Sequence, residues 1–236
     1  MSSIQPVTKH LLIINIIVWL ASLVSVSVLK FDIYHYLGLH FWKASNFNPA
    51  QFFTYMFMHD NNNFLHIFCN MFTLFMFGSL LERVMGSKRY LFYYITCGLG
   101  AALTQELVWQ FSWDSIWQTI QQSPEYLRYV AAGYTPTMEE CYNSLITVGA
   151  SGAVFGLLLA FAMIFPNMPM YIIPIPFPVK AKWMVLGYGL FELFFGITGS
   201  LDHVAHYAHL GGMIAGIIII LWWKRNGTLS RGYGFY

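Results

Sequence analysis

Charged side chains are scarce in this 236-residue chain. Asp, Glu, Lys and Arg make up 9% of it, against roughly 25% in soluble domains. That shortage excludes an ordinary water-soluble globular protein. Cysteines are also few: Cys69 and Cys97 sit within apolar runs and Cys141 in a polar segment. An odd number so distributed excludes a disulfide framework and provides no metal-ligand spacing, which leaves the thiols as small apolar filling. The net charge is only +2, and no basic stripe with interleaved aromatics marks a nucleic-acid surface. No internal repeat is visible, which weighs against a small transporter built from repeats.

What is present is apolar. Hydrophobic residues make up 57% of the chain and mean hydropathy is +0.55, so the chain reads as a membrane protein. A span needs about 20 mostly apolar residues, and candidates lie near residues 10–29, 64–81, 89–109, 147–165, 181–199 and 204–223. The first is too long for a secretory signal, and no small-residue cleavage pattern follows its apolar core, so it is expected to remain as a span. These runs predict an all-α integral membrane protein, one domain over residues 1–236, with six transmembrane helices.

Orientation follows from the cations between the runs. Lys9, Arg83, Lys88, Arg89, Lys180, Lys182, Lys224, Arg225 and Arg231 fall on one side, and Lys30, Lys43 and Arg128 on the other. Both termini are therefore expected to be cytoplasmic. Spans two, four and six then begin at the outer face, and their first turns carry His66 with Asn70, then Ser151, then His209. Residues far apart in sequence are thereby brought to a similar shallow depth.

His66 and Asn70 are four apart and project from one helix face. Gly149, Gly152 and Gly156 accompany Ser151, and Gly212 and Gly216 follow His209. Such small-residue strips permit close backbone approach, so spans four and six can bring a hydroxyl and an imidazole together. A serine hydroxyl needs a base to become a nucleophile, and neutral His209 can take its proton and return it to a leaving amine. The Asn70 amide, the His66 ring and the Ser151 backbone N–H are candidate donors to a tetrahedral oxyanion, with Gly149 grouped in the same oxyanion and substrate set. No outer-side Asp stands well placed to orient His209, Asp202 being the nearest in sequence, so a dyad is expected rather than a triad. Taken singly, each residue also has a structural reading: Ser151 bonded back to its own helix, the histidines as buried hydrogen-bonded groups, Asn70 as interhelical glue.

At these positions the chain resembles the rhomboid family of intramembrane serine proteases. His66-Ile67-Phe68-Cys69-Asn70 is similar to the family's H-x-x-x-N, Gly149-Ala150-Ser151-Gly152 to its G-x-S-G, and Ala208-His209-Leu210-Gly211-Gly212 with Gly216 to its A-H-x-x-G-x-x-x-G. Glu82-Arg83 and Gly86 resemble its acidic-basic-glycine turn after span two. The resemblance implies a six-helix bundle with a water-accessible outward-opening site and a serine endopeptidase activity. Ser151 would be the nucleophile, His209 the base, and His66 and Asn70 oxyanion donors. It implies transmembrane protein substrates that unwind near the outer face, a lipid bilayer around the protein, and no nucleic acid, cofactor or metal; no oligomeric state is assigned. A compact chain of this kind suits a bacterial cell (inner) membrane.

Some features depart from the family pattern. Ala50-Gln51 stands where many members carry an aromatic-basic or aromatic-amide pair, and Phe155, four after Ser151, replaces a tyrosine found in some. The outer segment 110–143 is long. Trp109, Trp113 and Trp117 suit an interface, and Ser123-Pro124 and Thr137-x-x-Glu140 predict helix starts, so short interfacial helices beside the site are expected. They act either as a substrate gate or as a spacer without substrate contact. Glu192 falls near the middle of span five, where a charge costs about 2.5–3.5 kcal/mol on insertion scales; it is expected to face the bundle in a structural role. The competing readings are a proton relay of Glu192 and the histidines in a small proton-coupled transporter, and a catalytically silent rhomboid-like escort. Pro174, Pro176 and Pro178 lie in a cytoplasmic connection rather than within spans, which disfavours the first. The presence of both Ser151 and His209 disfavours the second.

Overall fold

A computed structural model describes residues 4–171, 176–198 and 205–229. Pro174, Asp202 and Arg231 lie outside them. Among the described residues the chain is mostly helical: α1 (Pro6–Ser27), α2 (Ile33–Leu37), α3 (Gln51–Thr54), α4 (Phe64–Met85), α5 (Ser87–Phe111), α6 (Trp113–Gln122), α7 (Pro124–Ala131), α8 (Met138–Ser144), α9 (Ser151–Ile164), α10 (Ala181–Thr198) and α11 (His206–Arg225). Three of these, α1, α4 and α11, are long and apolar enough to cross a membrane on their own, and α9 is apolar but short. The other two expected spans are diluted by charge: α5 carries Lys88, Arg89 and Glu106, and α10 carries Lys182 and Glu192.

The burial pattern of α1 is inverted relative to a helix of a soluble bundle. Helix α1 buries Thr8, Leu11, Asn15, Ser22 and Ser25 and turns Ile13, Ile17, Leu20 and Val24 outward. Small and polar residues therefore make the helix contacts while branched apolar ones face the surroundings, as a lipid solvent requires. Helix α5 runs through the centre, with Tyr90, Tyr93, Tyr94, Cys97, Ala101 and Ala102 fully buried.

Glycine sets the central spacing. A Cβ on Gly156 would meet the Gly212 oxygen of α11 at 3.2 Å and Cys97 Sγ of α5 at 2.5 Å, and one on Gly211 would meet the Gly100 oxygen of α5 at 2.9 Å. The close approach expected of the α9 and α11 strips is thus present, with α5 packed into the same seam. Tyrosine hydroxyls satisfy carbonyls there, Tyr93 donating to Gly156 O at 2.8 Å and Tyr55 to Gly98 O at 2.7 Å.

Two polar knots hold the ends. At one, the Glu82 carboxylate accepts from the N–H groups of Val7 (3.0 Å) and Thr8 (2.8 Å) and from the hydroxyls of Thr8 (2.9 Å) and Ser87 (2.7 Å). It supplies the N-terminal cap that Gln5 does not give α1. Gly86, at φ 78°, turns the chain directly into α5. At the opposite end, β1 (Leu39–His40) pairs antiparallel with β2 (Ile146–Thr147), Leu39 opposite Thr147. The second strand occupies the start of the run expected to be span four, so the helix begins only at Ser151.

The segment between α5 and β2 forms helices where the capping residues predict. Ser123 accepts from Tyr126 N–H ahead of Pro124, and Thr137 with Glu140 makes a reciprocal capping box. These helices dock on the loop after β1 rather than beside the site: Glu139 accepts from Ser45 N–H, and Trp113 stacks on Phe41 at 6.3 Å. That loop is also tied to α5, where the buried Glu106 carboxylate accepts from Trp42 N–H at 2.9 Å.

Candidate active site

Helices α4, α9 and α11 all start at the end of the bundle where β1 meets β2, and their first turns surround a cavity of about 640 Å³ lined by Ser151, His209, His66, Asn70, Phe155 and Tyr188 among others. None of the residues of α6, α7 or α8 lines it. The expected meeting of hydroxyl and imidazole is present. Ser151 Oγ and His209 Nε2 are 2.8 Å apart. The imidazole lies flat against Phe155, with centroids 4.3 Å apart and planes 8° from parallel, so its edge is aimed at Ser151.

Ser151 is the first residue of α9, and the helix ladder opens with Val154 N–H to Ala150 O. The N–H groups of Ser151, Gly152 and Ala153 therefore precede the ladder, at the positive end of the helix dipole, where an anion is stabilised. Gly149, at φ 129°, makes the turn into this helix. Its own N–H donates to Tyr55 O at 3.0 Å, so as a donor it is already engaged. A Cβ there would lie 2.7 Å from His66 Nε2, and what Gly149 provides is room for that ring.

His66 receives the N–H of Asp60 on Nδ1 at 3.3 Å. This places the ring proton on Nε2, the nitrogen facing Gly149 and Ser151. The Asn70 amide donates one N–H to His66 O at 2.8 Å and keeps a second. Ser151 does not bond back to its own helix, while Asn70 does.

Glu192 faces the bundle as expected, and the departure is that it brings a carboxylate beside His209. Helix α10 buries it at 5% exposure, and one oxygen, Oε2, stands 2.6 Å from His206 Nδ1 and 3.0 Å from His209 Nδ1. The second approach is too oblique for a directed hydrogen bond, yet the charge is adjacent to the imidazole. A carboxylate beside His209 thus exists, on α10 rather than at an Asp. The available signal was an ionisable residue inside a span; what sequence could not supply was the rotation of α10.

Gln51 is the second residue that sequence reading undervalued. Its amide is 2% exposed and accepts from His40 N–H (3.2 Å) and Asn48 N–H (3.1 Å) while donating to Tyr36 O (3.2 Å) and Asn46 O (2.9 Å). The aromatic partner of the family pair is replaced by Ala50, but the amide anchors the loop alone.

A serine at a helix N-terminus, a histidine against it and apolar helices outside describe an integral membrane protein with a Ser-His pair at one end of its bundle. The family model for the Rhomboid domain matches residues 46–225, and the chain belongs to that family, whose members are generally intramembrane serine proteases. It is 26% identical over 167 residues to Rhomboid protein 1, mitochondrial, of Saccharomyces cerevisiae, which covers 67% of this chain and 38% of that one. It is also 26% identical over 216 residues to Rhomboid-like protein 11, chloroplastic, of Arabidopsis thaliana, covering 78% of this chain and 60% of that one. The chain therefore spans less than two thirds of the length of either relative.

Proposed function

We propose that this chain is a serine endopeptidase that cleaves transmembrane segments of membrane proteins. The 2.8 Å approach of Ser151 Oγ to His209 Nε2 carries the reading. Ser151 Oγ attacks the scissile carbonyl carbon while its proton passes to His209 Nε2. The oxyanion is received by the Ser151 N–H, by His66 Nε2–H and by the second N–H of Asn70. His209 then protonates the departing amine nitrogen as the C–N bond breaks. Water, deprotonated by the same imidazole, releases the acyl group from Ser151. A substrate helix must unwind to enter, because a peptide bond inside a regular helix is shielded by its own hydrogen bonds.

The same proposal takes residues 1–236 as one unit of six spans, α1, α4, α5, α9, α10 and α11, with both termini cytoplasmic and the site at the outer side. The alternation of these helices between the two polar knots supports it. The relatives named above are organellar, which lends no support to the bacterial inner membrane expected from sequence, and the proposal names no compartment.

The test is intact-protein mass spectrometry after exposure to a fluorophosphonate probe, with Ser151→Ala and His209→Ala in parallel. An adduct on the wild type alone supports an activated nucleophile. Absence of an adduct from folded protein in both detergent and lipid would sink the protease reading in favour of an escort that binds without cutting.

A further inference from the structure

We propose that Glu192 and His206 are a positioning pair for the base, so that this site works as a Ser-His-carboxylate array with a second imidazole behind it. The inference rests on the protease reading above. His206 and His209 lie three apart on α11 and share a helix face. Both present Nδ1 to the same oxygen of Glu192, at 2.6 and 3.0 Å. His206 donates its Nδ1–H to that oxygen, and although the line to His209 Nδ1 is too oblique for a directed hydrogen bond, the adjacent negative charge favours a proton over a lone pair on that nitrogen. His209 is thereby biased toward the tautomer whose Nε2 lone pair faces Ser151.

The second consequence is electrostatic. Glu192, His206 and His209 are all under a tenth exposed, so charge appearing there is poorly screened. When the Ser151 proton reaches His209 Nε2, the ring becomes a cation 3.0 Å from Glu192 Oε2. The carboxylate keeps its negative charge and stabilises the cation without taking its proton. His206, on the shorter contact, holds that oxygen in place, and is itself backed by the Phe195 ring at 6.0 Å. One turn along α10, Gly196 O accepts from the Tyr207 hydroxyl at 2.8 Å, so the α10–α11 seam is fixed on both sides of the pair. A carboxylate retained for packing alone would need neither its charge nor two imidazoles on one oxygen.

Two measurements on the full-length protein in lipid decide this. The first is cleavage of a reporter transmembrane segment by wild type, Glu192→Gln, Glu192→Asp and His206→Gln, with thermal midpoints recorded alongside. Glu192→Gln keeps shape and hydrogen-bonding capacity but not charge. It is expected to lower kcat at least about tenfold, the scale of a perturbed general base, with KM and midpoint unchanged. Glu192→Asp should recover part of the loss, and His206→Gln should show a smaller one. The second is 15N NMR of histidine-labelled protein, where His209 should show an Nδ1-protonated ring whose Nδ1 proton resonance moves in Glu192→Gln.

Wild-type kcat in Glu192→Gln, from an enzyme that does cleave, overturns the positioning pair and leaves the protease reading standing. A wild type that never cleaves, yet shows the Glu192-dependent Nδ1 signature, removes the protease reading and leaves the pairing. An Nδ1 signal indifferent to residue 192 overturns the pairing in either case.

Discussion

Gly152 and Gly212 face each other across the α9–α11 seam so closely that a Cβ on Gly212 would lie 2.7 Å from the Gly152 carbonyl carbon and would overlap its oxygen outright. The obstacle is backbone, which cannot swing aside. Gly212→Ala must force apart the helices carrying Ser151 and His209, at a cost of about 1–3 kcal/mol for overpacking, and lose most activity. Gly187, on α10, meets nothing within 4 Å, so Gly187→Ala should be neutral or stabilising by up to about 1 kcal/mol. Thermal melting and a cleavage assay on both variants check the contrast.

Phe155 fixes the plane of His209 by face-to-face contact at 4.3 Å. Such aromatic pairs contribute about 0.5–1.5 kcal/mol beyond area burial, or about two- to tenfold in rate if the contact is needed in the transition state. Phe155→Leu should lower kcat by that factor, and Phe155→Tyr should retain the wild-type rate. Steady-state kinetics of the two variants separate ring stacking from simple bulk.

Gln51→Leu removes an amide that makes four hydrogen bonds within the loop at β1. It leaves partners buried without replacements, and each unsatisfied group costs about 1–3 kcal/mol. The expected outcome is faster limited proteolysis near residues 36–48 and a lower thermal midpoint. Unchanged proteolysis would mean the loop is held by its contacts to Glu106, Glu139 and Asn143 without help from Gln51.

His59 makes the fold acid-sensitive. Burial, reinforced by neighbouring His66, pushes its pKa down from 6.5 to about 3, and neither ring nitrogen makes a directed hydrogen bond among the described residues. Between those values the unfolded chain binds a proton that the folded protein refuses. Stability from this residue is full above pH 6.5 and falls on acidification by at most about 1.4 kcal/mol per pH unit. His59→Leu removes that slope, so the midpoint of the variant should gain on the wild type as the pH is lowered from 7 to 5. Parallel lines across that range would count against a buried neutral His59.

Periodicity and glycine made much of this protein legible. The α4, α10 and α11 runs lie within a few residues of the observed helices because long apolar stretches have one stable backbone form in lipid. Ser123, Thr137 and Glu140 announced their helix starts by local capping chemistry. Chain direction alone was enough to bring His66, Asn70, Ser151 and His209 to one end. The strand at Ile146–Thr147 was not legible, since a two-residue pairing with Leu39–His40 is a long-range event without a local pattern. The docking of α8 on Ser45 and Asn46 is of the same kind.

The sequence by itself determined the apolar surroundings of this protein, most of its long helices and the gathering of His66, Asn70, Ser151 and His209 at one end, because these depend on composition, period and direction along one chain. Only the tertiary structure decided which faces meet. Glu192 reads as a costly charge in a span until the rotation of α10 places it between His206 and His209. Gly149 reads as a possible donor until Tyr55 takes its N–H and His66 fills the space above it. Helix rotation and partner choice are set by packing between segments distant in sequence, and no local property of either segment carries that information.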